Sequence, residues 1–185
     1  MQQNNNIGHE RVVLRGFLKA VVACSVLVLC SFQAGNRDTE YKLKAAFIYN
    51  FIQYIDWGSL AASNEYVICI VGSSPIEAPL REIAMTRKEG EKKIKICHYK
   101  SAEEMSYCHI LFISKDADEP LGAILAKTPK GTLTVSEKPG CAREGVAMNF
   151  VIIDNKLKFE SNLKALSATG LKASSQLLKL AIIAE

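Results

Sequence analysis

The residues best suited to chemistry are four cysteines beyond the apolar start of the chain, namely Cys69, Cys97, Cys108 and Cys141. In an exported protein an even number of cysteines predicts disulfide bonds, and four cysteines allow three pairings between which the sequence alone does not choose. The alternative is that some of them are buried free thiols, which pack as small apolar side chains within strands. The cysteines therefore predict a structural role, with the pairing left open.

Metal binding would require a different spacing of these cysteines. Structural zinc sites bring ligands together in short pairs such as Cys-x-x-Cys, and the sequence contains no such pair. His98 and His109 each stand next to a single cysteine rather than in a cluster. We therefore predict no metal site and no cofactor.

A turn at Gly72-Ser-Ser-Pro75 lies between a predicted strand and a predicted helix. Backbone N–H groups at such a turn bind anions in many doubly wound folds. The turn matches neither the G-x-G-x-x-G nor the G-x-x-x-x-G-K-[ST] pattern. An ordinary strand-to-helix turn is the simpler interpretation.

Catalysis has no recognisable motif in this sequence. The serine pairs at 73–74 and 174–175 lack the G-x-S-x-G elbow of a nucleophilic serine. The carboxylates between residues 103 and 119 cluster in predicted loops and helix starts, where capping and solvation account for them. We therefore predict that the protein is not an enzyme.

The first residues of the chain have the order of a secretory signal. Arg11, Arg15 and Lys19 precede an apolar run at residues 20–32. This run is shorter than the roughly 20 residues that a membrane-spanning helix needs. We predict a cleaved signal peptide at residues 1–34, and an uncleaved anchor and lipid attachment at Cys30 are the alternatives.

The charge of the remaining chain is nearly balanced. The whole sequence has a formal net charge of +4, and because residues 1–34 contain three basic residues and one acidic residue, the remainder is close to +2. Lysines alternate with acidic residues and form no basic stripe, which excludes nucleic acid as the expected partner. Residues 35–185 are enough for one domain with a sizeable core.

Hydrophobic periodicity predicts an α/β fold. A helix that is apolar nearly all round is expected at Tyr41–Trp57. Strands are then expected at 66–71, 93–99, 108–113 and 131–135, with helical segments at 75–87, 101–105 and 119–127. This alternation predicts a three-layer, mostly parallel sheet of flavodoxin-like or Rossmann-like type.

The last part of the chain follows another pattern. Apolar runs at 146–153 and 156–160 flank Asp154-Asn155, which predicts an antiparallel β-hairpin with a two-residue turn. Two helices are expected after it, at 162–169 and at 174–184.

Three separated segments resemble the YfiR-like family of periplasmic proteins. Leu43–Phe51 with Trp57 resembles its opening [VL]-K-A-A-[FY]-[LI]-Y-N-F…W. Residues 139–150 resemble P-G-x-x-x-x-G-x-x-x-N-F, and residues 159–181 resemble F-E-x-N…G-L-x-x-S-S-x-L-L-x-L-A. The likeness extends over most of the chain beyond the predicted signal peptide.

The resemblance implies both a location and a function. Members of the family are exported to the periplasm, are often dimeric, and repress an inner-membrane diguanylate cyclase by binding its periplasmic domain, which lowers cyclic di-GMP and biofilm formation. The family also has a disulfide that corresponds here to Cys69 and Cys108. Cys97 and Cys141 would then be left for a second bridge.

We therefore expect a periplasmic repressor that acts by binding. Its predicted partner contacts are Tyr49, Tyr54 and Trp57, because we do not expect so aromatic and apolar a helix to be wholly buried. The alternative function is a periplasmic small-molecule sensor domain that acts on a histidine kinase or a transporter.

Overall fold

A computed structural model describes residues 37–87 and 92–184. The predicted signal peptide lies outside the described residues. The chain divides between Thr39 and Glu40 into two units, and the fold below is that of the second, residues 40–185. Among the described residues, no helix combines the length and the apolar character needed to cross a membrane.

Helices and short strands alternate along the chain. The helices are α1 at residues 37–54, α2 at Glu77–Thr86, α3 at Leu121–Lys127, α4 at Leu163–Ala168 and α5 at Ser175–Leu178, with 3-10 turns at Gly58–Ala62 and Ala102–Glu104. The strands are β1 at Ile55–Asp56, β2 at Glu65–Val71, β3 at Lys93–Tyr99, β4 at Ile110–Ile113, β5 at Leu133–Ser136, β6 at Met148–Ile153, β7 at Lys156–Ser161, β8 at Lys172–Ala173 and β9 at Ile182–Ile183.

The main sheet has the strand order β3-β2-β4-β5-β6-β7-β9. The first five of these strands are mutually parallel, and β7 runs antiparallel to β6. With the five parallel strands numbered along the chain, their order is 2-1-3-4-5, which is the flavodoxin-like order. The predicted three-layer, mostly parallel α/β fold is confirmed.

Helices cover both faces of the sheet because the parallel strands are apolar on both sides. Ile68 and Ile70 of β2 belong to a core cluster that includes α1 and α2. Cys69 and Val71 of the same strand belong to a second cluster, which includes α3 and the 3-10 turn at Ala102–Glu104. The alternation along one strand thus fixes which helices lie on which face.

The predicted hairpin is confirmed. Asp154 and Asn155 have φ angles of 52° and 57°, which is the left-handed backbone that a two-residue type I′ turn requires. Ile153 pairs with Lys156 across this turn. Asp and Asn tolerate this conformation, so the turn chemistry of the sequence sets the register of β6 and β7.

The end of the chain differs in part from the prediction. Two helices follow the hairpin, but α5 ends at Leu178 rather than near residue 184. Ile182 and Ile183 form β9 instead and pair in parallel with Glu160 and Ser161 of β7. Ile182 and Ile183 are both β-branched, and such residues favour a strand over a further helical turn where a sheet edge is available for pairing.

Candidate functional site

The carboxyl ends of β2 and β4 form the position where flavodoxin-like folds bind ligands, because the strand order reverses there. In this protein the chain fills that position itself. Gly72 has a φ of +82°, and a Cβ at this glycine would lie 2.7 Å from the Cα of Ala117. Ser73 bridges to Asp116, and the Ser114 hydroxyl donates a hydrogen bond of 2.6 Å to the carbonyl of Ser73. The crevice is closed by backbone contacts.

A buried ion pair lies beyond the carboxyl end of the neighbouring strand β5. Lys44 Nζ of α1 lies 2.6 Å from Glu137 Oε2 and 2.5 Å from Glu40 Oε1. The Lys44 and Glu137 side chains are only 6% and 2% exposed. Burial, together with the carboxylate of Glu137, raises the pKa of Tyr41 to about 12. These groups satisfy one another and attach α1 to the end of β5.

The structure corrects both predicted disulfides. Cys69 is bonded to Cys97, with the two Cα atoms 4.5 Å apart, and Cys108 and Cys141 are buried free thiols. The physical reason is strand order: β2 lies between β3 and β4, and the register places Cys69 directly opposite Cys97 of β3 and opposite Leu111 of β4. Neither Cys69–Cys108 nor Cys97–Cys141 is formed.

The two free thiols are held in unreactive surroundings. Burial raises the pKa of the Cys108 thiol to about 12, although hydrogen bonds from Thr132 and the backbone of Cys69 act in the opposite direction. Burial also raises the pKa of Cys141. Since the thiolate is the reactive form, neither residue has the environment of a nucleophile. The described residues contain no group of metal-ligating side chains close enough to hold an ion.

An aromatic cluster surrounds the imidazole of His109. The rings of Trp57, Tyr66 and Tyr107 lie 5.4, 5.0 and 5.2 Å from its ring centre. Its Nδ1 accepts a hydrogen bond from the N–H of Val67, so this nitrogen carries no proton. Burial lowers the pKa of His109. The histidine is a neutral core residue that aligns β2 with the start of β4.

The three predicted partner contacts do not share one exposed surface. Trp57 is 4% exposed and donates its indole N–H to the carbonyl of Ile52. Tyr49 is 7% exposed, and the guanidinium of Arg87 lies 5.2 Å from its ring centre. Tyr54, at 37%, is exposed. The prediction that Tyr49 and Trp57 are exposed was wrong, because the rest of the fold covers both side chains, Tyr49 on α1 and Trp57 just after β1.

The exposed apolar residues concentrate elsewhere, on the last strands of the sheet. We call this surface the apolar edge and define it by Ile152, Ile153, Leu180, Ile182 and Ile183, which are 36–68% exposed. The four isoleucines are on β6 and β9, on either side of β7, and the leucine is in the turn just before β9. Sequence reasoning missed it because the segment 174–184 was interpreted as a packed helix. The adjacent Ile182-Ile183 pair was the signal that could have revealed it.

The polar residues of the second and third resembling segments join the hairpin to its surroundings. Asn149 Nδ2 donates to Glu160 Oε2 at 3.1 Å across β6 and β7. Asn162 accepts from the N–H of Ala165 at the start of α4 and donates to the carbonyl of Ala142 at 2.6 Å. Their partners are in the hairpin, in α4 and in the loop before β6, so these residues fix the antiparallel end of the fold.

The likeness to a known family extends over α1, the loop before β6 and the hairpin. The sequence pattern described as YfiR/HmsC-like matches residues 41–182, which run from α1 to β9. No curated protein matches the chain. Since the match covers well over half of the sequence and includes the α1, loop and hairpin segments described above, the chain belongs to the YfiR/HmsC-like family.

Proposed function

We propose that this protein is a periplasmic regulator that binds the periplasmic domain of an inner-membrane diguanylate cyclase and holds the cyclase inactive. The observation that carries the proposal is membership of the YfiR/HmsC-like family over residues 41–182. Repression lowers cyclic di-GMP and biofilm formation. The protein acts by binding and carries out no turnover.

The apolar edge supports this proposal as the docking surface. Leu180, just before β9, is 68% exposed, and Ile152 of β6 is 52% exposed. Within the described residues β9 pairs only with β7, so its outer edge also offers backbone hydrogen bonds to a partner. Apolar residues beside an open strand edge form the kind of surface that a protein partner covers.

Repression needs no chemistry, only unequal affinity for two states of the partner. A protein that binds the inactive cyclase more tightly than the active cyclase shifts the population toward the inactive form. A shift from 1:99 to 99:1 needs an affinity ratio of about 10⁴. This requirement favours an extended docking surface over a single contact.

The test is co-purification of the cyclase from solubilised inner membranes with the tagged, exported protein. The variant Ile152→Asp/Leu180→Asp should lose the cyclase, because each carboxylate would have to be desolvated in the interface. Met85→Asp is the matched control, since Met85 is 81% exposed on α2 and lies outside the apolar edge. Deletion of the protein should raise cyclic di-GMP, and only the control variant should restore repression.

The identity of the retained proteins separates the remaining possibilities. Retention of a histidine kinase or a transporter without a cyclase would favour the small-molecule sensor function instead. Retention of a second copy alone would assign the apolar edge to a homodimer. Equal recovery of the cyclase by all variants would exclude the apolar edge as the docking surface, and Tyr54→Ala would then test the predicted contact that is exposed on α1.

A further inference from the structure

A groove of about 490 Å³ opens at the amino ends of β5 and β6. Its volume is within the range of small-molecule sites. The floor is apolar and comes from Leu125 of α3, from Pro129 just after α3, and from Ala165 and Ala168 of α4. The groove lies at the Asn162 end of β7, and the hairpin turn lies at the other end of that strand.

Hydrogen bonds hold the walls of the groove in place. The N–H of Gly131 donates to the carbonyl of Thr169 at 3.1 Å, which ties the segment before β5 to the end of α4. Asn162 joins α4 to the loop before β6 through Ala142. Thr134 Oγ1 accepts from the N–H of Ala147 at 2.9 Å and joins β5 to the same loop. The groove is therefore preformed.

Gly145 keeps the groove open on the loop side. Its φ of +108° is a conformation that side chains rarely adopt, and a Cβ there would lie 3.4 Å from Leu125 Cδ1. A larger side chain at this position would project toward the apolar floor. The second glycine of the P-G-x-x-x-x-G segment thus shapes a cavity as well as a turn.

The charges that line the groove are mostly positive. Lys130, Arg143 and Lys164 line it together with one acidic residue, Glu144. In the part of the chain that the structure describes, none of the three basic side chains has a carboxylate or hydrogen-bond partner, in contrast to Lys44, which is fully paired. An apolar floor under an excess of unpaired cations complements a ligand with an apolar body and a negative group.

We propose that this groove binds a small organic anion, a compact apolar body that carries one carboxylate or phosphate group. The apolar body covers Leu125 and Ala165, and the anionic group pairs with Arg143 and Lys164. This site goes beyond the proposed function, because it needs no cyclase and uses none of the residues of the apolar edge.

The test is a fluorescence titration of the exported protein with 8-anilinonaphthalene-1-sulfonate, an apolar anion. We expect saturable binding at one site, weakened at least about tenfold in Arg143→Glu/Lys164→Glu because the charge-assisted contacts become repulsive. Lys156→Glu is the control: Lys156 is exposed at the hairpin turn and, among the described residues, also has no ion pair. It should bind like the unchanged protein.

Competition then defines the ligand class. Benzoate and phenyl phosphate should each displace the probe, and the ratio of their inhibition constants tells whether the groove prefers a carboxylate or a phosphate group. Inorganic phosphate should not displace the probe because it has no apolar body. Three results would overturn the proposal. The probe does not bind saturably, it binds the charge-reversed variant as tightly as the unchanged protein, or it loses binding only in Ile152→Asp/Leu180→Asp. Thermal unfolding of each variant checks that the charge reversals leave the fold intact.

Discussion

The two ends of the parallel strands differ in how the chain closes them. At the carboxyl ends, backbone approaches backbone at Gly72 and Ala117, and the Lys44–Glu137 pair is buried beside them. At the amino ends of β5 and β6, hydrogen bonds hold the walls apart and leave an open groove. The end that binds ligands in many doubly wound folds is therefore the closed one.

This difference shows that a fold does not transfer its binding site. The flavodoxin-like strand order is present, but the residues that would line the usual crevice occupy it. The functions proposed for this family member therefore use two other surfaces, the apolar edge and the groove. Stability experiments test this difference between the two ends. Substitutions at the closed end should lower the free energy of unfolding strongly, and substitutions at the open end should hardly change it.

The largest effect is expected at the buried ion pair of the closed end. Lys44→Met leaves the Glu137 carboxylate buried without its cation and should lower the free energy of unfolding by about 3–5 kcal/mol. Urea denaturation measures this loss. The double variant Lys44→Met/Glu137→Leu should recover most of it, because no buried charge is left uncompensated; the Glu40 side chain is 34% exposed and stays solvated. A loss of unfolding free energy below about 1 kcal/mol for the single variant would mean that the ion pair behaves as a solvent-exposed one.

The disulfide, which fixes β2 to β3 between the two ends, should have a slightly smaller effect. Cys97→Ser opens a loop of 28 residues and should lower the free energy of unfolding by roughly 3.5 kcal/mol on the loop-entropy account. Peptide mapping of the unreduced protein should recover the Cys69–Cys97 pair. A Cys69–Cys108 peptide would instead support the pairing that the family resemblance implies.

A pair of glycines isolates the close approach at the closed end. Gly72 and Gly170 have φ angles of +82° and +83°, but only Gly72 has neighbours within 4 Å of a built Cβ. Gly170→Ala should lower the free energy of unfolding by about 1–2 kcal/mol through backbone strain alone. Gly72→Ala should lower it by about 1–3 kcal/mol more, because Ala117 must move. If thermal unfolding shows equal losses of unfolding free energy in the two variants, Ala117 can move away from the added Cβ at little cost.

The amino end of β4 should respond to acid. The pKa of buried His109 is lowered, so the unfolded chain binds the proton first and stability, complete above pH 6.5, falls as pH drops below it. One proton limits the slope to about 1.4 kcal/mol per pH unit. Lys92, Tyr66 and Tyr107 are the titratable neighbours.

Unfolding measured between pH 7.5 and 5.5 should show this dependence. His109→Gln should remove it. The control, His98→Gln, should keep it, because His98 is partly exposed beside Glu77. If the dependence persists unchanged in His109→Gln, the neutral imidazole is not its source.

The smallest effect is expected at the open end. Arg143→Glu and Lys164→Glu replace exposed side chains that have no partner among the described residues, so the free energy of unfolding should change by less than about 0.5 kcal/mol. Chemical denaturation checks this. A loss of unfolding free energy close to that of Lys44→Met would mean that these side chains stabilise the fold, and the two ends would then not differ.

Local patterns predicted the fold well. The parallel strands, their helices and the Asp154-Asn155 turn each depend on residues close in sequence, so periodicity and turn chemistry were sufficient. The last helix was predicted too long because the partner of Ile182 and Ile183 is β7, which no local pattern reveals.

The site depended on information that a single sequence does not contain. Cys69 is on β2, which lies between β3 and β4. Only the strand order and register decide that Cys97 faces Cys69 and that Cys108 does not. Tyr49 and Trp57 were expected to be exposed because the segment 41–57 is apolar nearly all round. In the structure the hairpin packs against α1, Arg87 lies over Tyr49, and strands β2 and β4 bring aromatic neighbours to Trp57. The groove joins residues 125–169, whose proximity follows from the tertiary fold alone.

Trp57 is the only tryptophan of the chain, and it lies buried 5.4 Å from the imidazole of His109. Its indole should therefore emit at short wavelength in the folded protein and shift toward the red when water reaches it. Because the unfolded chain takes up the proton of His109, the same red shift should also follow the acid-dependent unfolding predicted above. The protein thus contains its own optical probe of the amino ends of its strands and needs no label.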